Sequence, residues 1–409
     1  MKRQLFDFSD SLSTMAKERL ESSAIGEMIK LVVSNKAISF TAGEPSSELL
    51  PVEQLKEAFK GVFDDPAKLC YYWSDLGHIE LREWICDWMR KDGLSAKWVK
   101  PENIMMTCGS QEGISFAAEA FIDPGSYVLV ENPTYMETLL SFRKQGATCI
   151  GVPIDENGII IDELKKIIER KKVRMLYTIP NFQNPTGYCT SRERREKVIE
   201  LLSEHGIPIL EDDPYHYLSY DKETPPTYMS LAGDHACVIY LGSFSKIVAP
   251  GLRCGWMVLP DQIVSKIISL RVNANLSLPI LVQDGLFNML QKIDLEAHIN
   301  DLRGVYRKRR DDLCAAFEEY IVPLGVRINK PEGGFFIWGN LDGIPDMFEF
   351  AKYAVKEFKV GVIPGSVFFV PGTSDQSAIR FSFAKVDKKN AVEGAKRLAA
   401  AINAYPKNN

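Results

Sequence analysis

Between about residues 100 and 260, short β-branched or apolar runs alternate with longer amphipathic segments, and this alternation restricts the chain to an α/β architecture. Strands are expected at 104–107, 127–131, 173–179, 208–211 and 238–242. Helices are expected at 111–121, from Tyr135 onward, and at 191–205. The last has a capping-box pattern in Thr190 and Glu193 and a terminator in Gly206. Strand, helix and strand joined by short loops make βαβ units, so these strands should be parallel and buried. The run 254–259 follows Gly242 after only 11 residues with no helical pattern between, and is expected to lie antiparallel.

Outside this region the pattern changes. Residues 286–321 read as one or two long helices, followed by strands at 334–338, 360–363 and 378–383 and helices at 347–358 and 389–404. The expected fold class is α/β with a large, mostly parallel seven-stranded sheet (one strand antiparallel) plus a smaller α+β domain. The boundaries expected are an N-terminal arm at 1–47, a large domain at 48–290 and a small C-terminal domain at 291–409. A helical pattern near 25–33 lies in an arm too short to fold alone, so the arm should pack on the small domain.

Composition narrows the partners. A net charge of -5 gives no basic field, which argues against nucleic acid and anionic membranes. No apolar run approaches membrane-spanning length, and Asp7 and Asp10 interrupt the start before a signal-peptide core can form. Eight cysteines without a CxxC pair argue against zinc and redox pairs and fit a reducing compartment, so a cytoplasmic protein with a small-molecule ligand and no metal is expected.

Polar residues follow the apolar runs in a definite order: Asn184 in NPTG, Asp212 and Tyr215 in DDPY, Ser243, Ser245 and Lys246 in SFSK, then Arg253. In open parallel sheets ligands bind beyond the carboxyl ends of the strands, so these stations should share one edge. A lysine there, with its pKa lowered, can condense with an aldehyde; a solvated loop lysine is the ordinary alternative. Asp212 ends an apolar run, where a carboxylate needs a partner, and a pyridinium nitrogen is one. Glu211 and Asp213 flank it, so a metal or a solvated acidic turn is the other reading. Tyr215 and Asn184 offer hydrogen bonds to a ring oxygen, although Asn184 also suits a plain turn. Ser243, Ser245 and Arg253 have the chemistry of a phosphate cup, to which Ser110 and Gln111, between a strand and a helix, add main-chain amides. Tyr135 can stack on a ring or fill the core. Arg380, in IRFSFA, can clamp a substrate carboxylate or stand exposed on a half-buried strand.

Together these residues resemble the fold-type I pyridoxal-phosphate aminotransferases, in particular the subgroup of 2-aminoadipate, kynurenine and aromatic amino-acid aminotransferases and MocR aminotransferase-like domains. The spacings carry the resemblance: 28 residues from Asn184 to Asp212, three more to Tyr215, and seven from Lys246 to Arg253. It implies pyridoxal 5'-phosphate as cofactor, with Lys246 as Schiff-base and proton-shuttling lysine, Asp212 on the pyridine nitrogen, and Tyr215 and Asn184 on the ring oxygen. It further implies a phosphate site of Ser110, Gln111, Ser243 and Arg253, a stacking Tyr135, and Arg380 on the α-carboxylate, with Gly43 beside the substrate. Tyr72, in YYWSDLG, matches a tyrosine lent to the partner subunit's phosphate, which implies a homodimer with composite sites. The activity implied is transfer of an amino group from an aromatic, 2-aminoadipate-like or broader range of α-amino acids to a 2-oxo acid, 2-oxoglutarate foremost. A pyridoxal-phosphate lyase or decarboxylase, or a sensor without turnover, would use the same site. A serine–lysine acyl enzyme on Ser243 and Lys246 lacks the SDN and KTG partners it needs. Two departures stand out: the 45 residues ahead of the module leave no room for the winged helix of MocR regulators, and GEP replaces the usual GGxP near residue 43.

Overall fold

Side chains alternate between the two faces of a strand, so a strand buried at every position must be covered on both faces. In the computed structural model, which describes residues 7–70 and 74–406, four strands of the large sheet have this property. After a two-residue strand β1 (Ile38–Ser39), the large sheet comprises β2 (Ile104–Thr107), β3 (Tyr127–Asn132), β4 (Thr148–Asp155), β5 (Gly158–Ile159), β6 (Val173–Thr178), β7 (Ile209–Asp212), β8 (Val238–Ser243) and β9 (Gly255–Val258). Strands β2, β7, β8 and β9 are the fully buried ones among those longer than two residues.

The sheet order is β2-β9-β8-β7-β6-β3-β4-β5. Neighbours from β8 through β7, β6 and β3 to β4 are parallel, while β9 runs against both β2 and β8. The six strands located in the sequence are present; the seventh is β4, at Thr148–Asp155 where the sequence pattern places no strand, and an eighth, the two-residue β5, adds a short antiparallel hairpin to β4. The reversal of β9 has a consequence for chemistry. Ser243 at the end of β8 pairs with Gly255 at the start of β9. The chain between them therefore leaves and re-enters the same edge, and holds Lys246 and Arg253 there.

The helix expected at 191–205 spans Arg192–Glu204, and its cap is Ser191, whose Oγ accepts the N–H of Arg194 at 3.3 Å. Thr190, whose N–H donates to Pro180 O at 2.8 Å, stands one residue outside the capping position. Gly206 does end the segment with a positive φ of 64°.

The smaller sheet contains β10 (Val326–Ile328), β11 (Phe336–Leu341), β13 (Ile363–Pro364) and β14 (Ala378–Ser382) in the order β10-β11-β14-β13, all antiparallel. The run expected as one strand at 360–363 divides: β12 (Val360–Gly361) pairs with β1 from the N-terminal segment, and β13 pairs with β14. The long segment resolves into helices Ile280–Leu290 and Leu295–Tyr320, the second capped by Asp294 accepting Ala297 N–H at 2.9 Å. Its buried residues Leu295, Ile299, Leu302, Tyr306, Leu313 and Phe317 recur at helical spacing. Phe317 meets Phe40 and Phe381 edge-on, at 5.6 and 4.7 Å between ring centroids, which ties the N-terminal segment to the small sheet. Buried apolar residues of both sheets form one continuous core. No helix among the described residues is long and apolar enough to cross a membrane.

Candidate active site

The carboxyl edge of β6, β7 and β8 opens into a cavity of about 380 Å³ that also reaches the small sheet and the N-terminal helix Ala24–Ser34. Lys246 lies in it on the β8–β9 connection and donates from Nζ to Gly43 O at 2.7 Å. Burial pushes the amine down to about 8, against the pull of Glu44 and Asp212. Near neutrality a fraction of it is therefore unprotonated and nucleophilic. This is not the solvated loop lysine of the ordinary alternative. Nor does it serve Ser243, whose Oγ accepts the N–H of Ser245 at 3.1 Å.

Asp212 closes β7 in a fully enclosed position. Its Oδ2 accepts the hydroxyl of Tyr177 at 2.8 Å, while its Oδ1 is buried without a partner among the described residues. Burial lifts this carboxyl to about 7, with the Tyr177 bond opposing. An unpartnered buried carboxylate oxygen costs free energy unless a cationic N–H reaches it, as the protonated nitrogen of a pyridine ring does. The neighbours are occupied elsewhere. Glu211 accepts the N–H groups of Tyr228 and Met229 at 2.8 and 3.0 Å, and Asp213 bonds Asn181 and His216 at 2.8 and 3.1 Å. Both are buried, so the segment is not a solvated acidic turn, and no group of three or more potential metal ligands occurs among the described residues.

One end of the cavity suits an anion. The helix Ser110–Phe121 begins at Gly109, which provides no side-chain cap, so first-turn N–H groups stay available. Ser110, Ser243, Ser245 and Arg253 share this end. A Cβ on Gly109 would come within 2.7 Å of Arg253 Nη2, so glycine is what lets the guanidinium lie across the loop, where it donates to Cys108 O at 2.7 Å. Gln111 lines the cavity too, but its side-chain amide donates to Ser141 Oγ at 2.8 Å, leaving its main-chain N–H as its contribution.

At the opposite end Arg380 is buried, not exposed, because strand β14 is covered on both faces. Its guanidinium donates to Asn184 Oδ1 and Thr41 O, each at 2.8 Å, and packs against the rings of Phe336 and Phe368 at 4.3 and 4.8 Å, while Nε lacks a partner among the described residues. Asn184 is thereby the arginine's companion as well as a turn residue. Tyr215 is buried edge-on to Phe335 and Phe336, at 5.7 and 6.0 Å. Tyr135 is half-buried at the cavity wall, which Glu137 also lines. Gly43 is constrained: a Cβ there would sit 2.7 Å from Phe336 Cζ. Of the residues singled out in the sequence, Tyr72 lies outside the described residues; the others all line this cavity.

Some of the site was not signalled by motif. Tyr177 is one of six residues in an apolar strand, and only its position beside β7 brings its hydroxyl to Asp212. Ser23, Ile25, Gly26 and Ile29 reach the cavity from the N-terminal helix, whose amphipathic pattern shows a buried face without saying what it faces.

An aldehyde-bearing pyridine ring with a phosphate arm matches this edge in amine, carboxylate and anion site, and the fold around it is that of the fold-type I pyridoxal-phosphate-dependent transferases. The aminotransferase class I and II pattern matches residues 35–398, and the chain belongs to that family. Its activity is the transfer of amino groups between amino acids and oxo acids, with pyridoxal phosphate as cofactor. It is 34% identical to aromatic-amino-acid aminotransferase 1 of Thermococcus litoralis, over 94% of this chain and 92% of that one. The kynurenine aminotransferase of Pyrococcus horikoshii, solved in complex with PMP, superposes with a TM-score of 0.90 at 34% identity, covering 97% of this chain and 98% of that one. The α-aminoadipate aminotransferase of Thermus thermophilus, solved with N-(5'-phosphopyridoxyl)-L-leucine, gives 0.89 at 31% identity, covering 97% and 98%.

Proposed function

We propose that this chain transfers the amino group of an aromatic, 2-aminoadipate-like or broader range of α-amino acids to 2-oxoglutarate. The observation that carries the reading is the convergence on one cavity of a buried Lys246 amine, an Asp212 Oδ1 with no hydrogen-bond partner among the described residues, and a buried Arg380. The breadth of the donor range follows the relatives, whose names span aromatic amino acids, kynurenine and α-aminoadipate at similar identity. Fold alone does not choose among them.

When bound, pyridoxal phosphate supplies an aldehyde for the amine and an electron-withdrawing ring for the electrons released at the substrate Cα. The residues do the rest. Ser110, Ser243, Ser245 and Arg253 would hold the phosphate, and Tyr135 would stack on the ring. Asp212 would keep a proton on the ring nitrogen, and Tyr215 and Asn184 would offer polar groups to the ring oxygen. Arg380 takes the α-carboxylate, which fixes the Cα–H bond toward Lys246. Lys246 Nζ removes that proton and holds it for redelivery, as general base and then general acid.

The proposal includes a cytoplasmic homodimer, with Tyr72 lent to the partner's phosphate site, and an arm, large domain and small domain divided at residues 47 and 290. Support for the compartment is chemical: all eight cysteines are free thiols, and five are only partly buried or exposed. Candidate amino acids mixed with the loaded enzyme should bleach its visible absorption, and 2-oxoglutarate should restore it with glutamate formed. Carbon dioxide released with an amine would instead mark a decarboxylase, and ammonia released with no consumption of 2-oxoglutarate a lyase. Bleaching without multiple turnovers would mark a sensor. Borohydride treatment followed by peptide mass analysis should find the label on Lys246 alone.

A further inference from the structure

Once the cavity's charged groups are assigned, two carboxylates are left over. Arg253 answers the phosphate, Arg380 the α-carboxylate, and Lys246 and Asp212 the reaction itself. Glu44 and Glu137 also line the cavity, and among the described residues no further cation does. Glu137 accepts the hydroxyl of Ser23 at the start of the N-terminal helix. Glu44 instead pairs with Lys385, Nζ to Oε2 at 2.6 Å, from the turn that follows β14. The position of Glu44 is fixed by its neighbours: Thr41 O holds Arg380 and Gly43 O holds Lys246, so residues 41–44 run past the α-carboxylate end, away from the phosphate cup. This segment therefore borders the space open to a substrate side chain, with Ser23, Ile25 and Ile29 of the N-terminal segment on the same cavity.

From this we propose that the Glu44–Lys385 pair determines specificity in the site, with Glu44 opposing a distal carboxylate on the substrate and Lys385 exchanging from Glu44 to that carboxylate when one is bound. The inference rests on the aminotransferase reading above. The exchange is cheap because both side chains remain partly in water, 60% exposed for Glu44 and 39% for Lys385, and such surface pairs contribute little by themselves. Inside the loaded site the balance is different. A charge-assisted contact to a carboxylate shielded by the cavity walls is stronger, and an unanswered second carboxylate beside Glu44 is repelled. Neutral and aromatic side chains need no exchange and leave the pair intact. One site thereby accepts a dicarboxylic oxo acid and an apolar partner in alternate halves of its cycle.

The test uses the loaded enzyme and its Lys385→Met and Glu44→Gln variants. Two unreactive probes, glutarate and 3-phenylpropionate, are titrated against the visible absorption, and kcat/KM is measured for 2-oxoglutarate and phenylpyruvate. For Lys385→Met the ratio of glutarate to 3-phenylpropionate affinity, and the ratio of kcat/KM for the two oxo acids, should each fall about ten-fold. For Glu44→Gln both ratios should rise several-fold. Ratios unchanged in both variants, or shifted in the same direction by both, overturn the proposal. Normal cofactor absorption in each variant shows that folding is intact. If the parent enzyme turns over no oxo acid but the probe affinities still diverge as stated, the aminotransferase reading fails while this assignment survives.

Discussion

Lys246 and Asp212 are displaced from their ordinary protonation by the same cause, burial, and with opposite consequences. The lysine is lowered to about 8 and so gains nucleophilicity as pH rises through that value. The rate at which cofactor-free protein takes up pyridoxal phosphate, followed by absorbance, should therefore climb with pH and level off above about 8; a flat profile between about 6 and 9 contradicts a buried, depressed amine. Asp212 is raised from 3.8 to about 7, so the folded state binds its proton more tightly than the unfolded chain. Its contribution to stability is present in acid and is lost as pH rises through about 7. Asp212→Asn should accordingly make the cofactor-free protein more stable at about pH 8, on the order of 2 kcal/mol, while lowering kcat by roughly a hundred-fold or more. Thermal melts and turnover on the same preparation check both halves, and a destabilised, fully active variant contradicts them. Among these residues, the sequence marked Lys246, Asp212, Asn184 and Arg253 by motif. It left Arg380 between two readings, since alternation along IRFSFA shows which residues share a face but not that both faces are covered.

The β8–β9 connection shows how an element boundary becomes chemistry. Eleven residues with no helical pattern predicted an antiparallel return, and the return is what keeps Lys246 and Arg253 on the edge already carrying Asp212. Six strand positions in the large sheet were legible because buried strands write apolar runs, but not that of β4, in which Val152 is the one fully buried residue. Short pieces were not: β5, β12 and β13 have two residues each, too few to show a period. The cap of Arg192–Glu204 was displaced by one residue for a related reason, since Thr190 and Ser191 are both good caps by type and only the main-chain path separates them. Replacing Ser191 by alanine should cost about 1 kcal/mol, read as a lower denaturant midpoint, with the cofactor absorption unchanged. No change in the midpoint would show that the 3.3 Å bond to Arg194 N–H contributes nothing.

At the scale of the whole molecule, the cavity draws on both sheets and on the N-terminal segment. Lys246 comes from the large sheet, Arg380 from the small one, and Thr41 and Gly43 from the segment that carries β1 onto β12. If Tyr72 is lent across a homodimer, an equal mixture of Lys246→Ala and Tyr72→Ala enzymes, dissociated and reassembled, should regain activity. One of the two sites in each hybrid then has both native residues. A mixture no more active than its components would place each site within a single subunit.

The sequence by itself determined the class of fold and singled out residues that meet in one cavity, because periodicity, turn chemistry and residue spacing are local properties written along the chain. Tertiary structure alone decided that Arg380 is buried, that Tyr177 supports Asp212, and that Glu44 meets Lys385, 341 residues away. Those are contacts between segments whose separation in sequence carries no periodic signal, and only packing brings them within bonding distance.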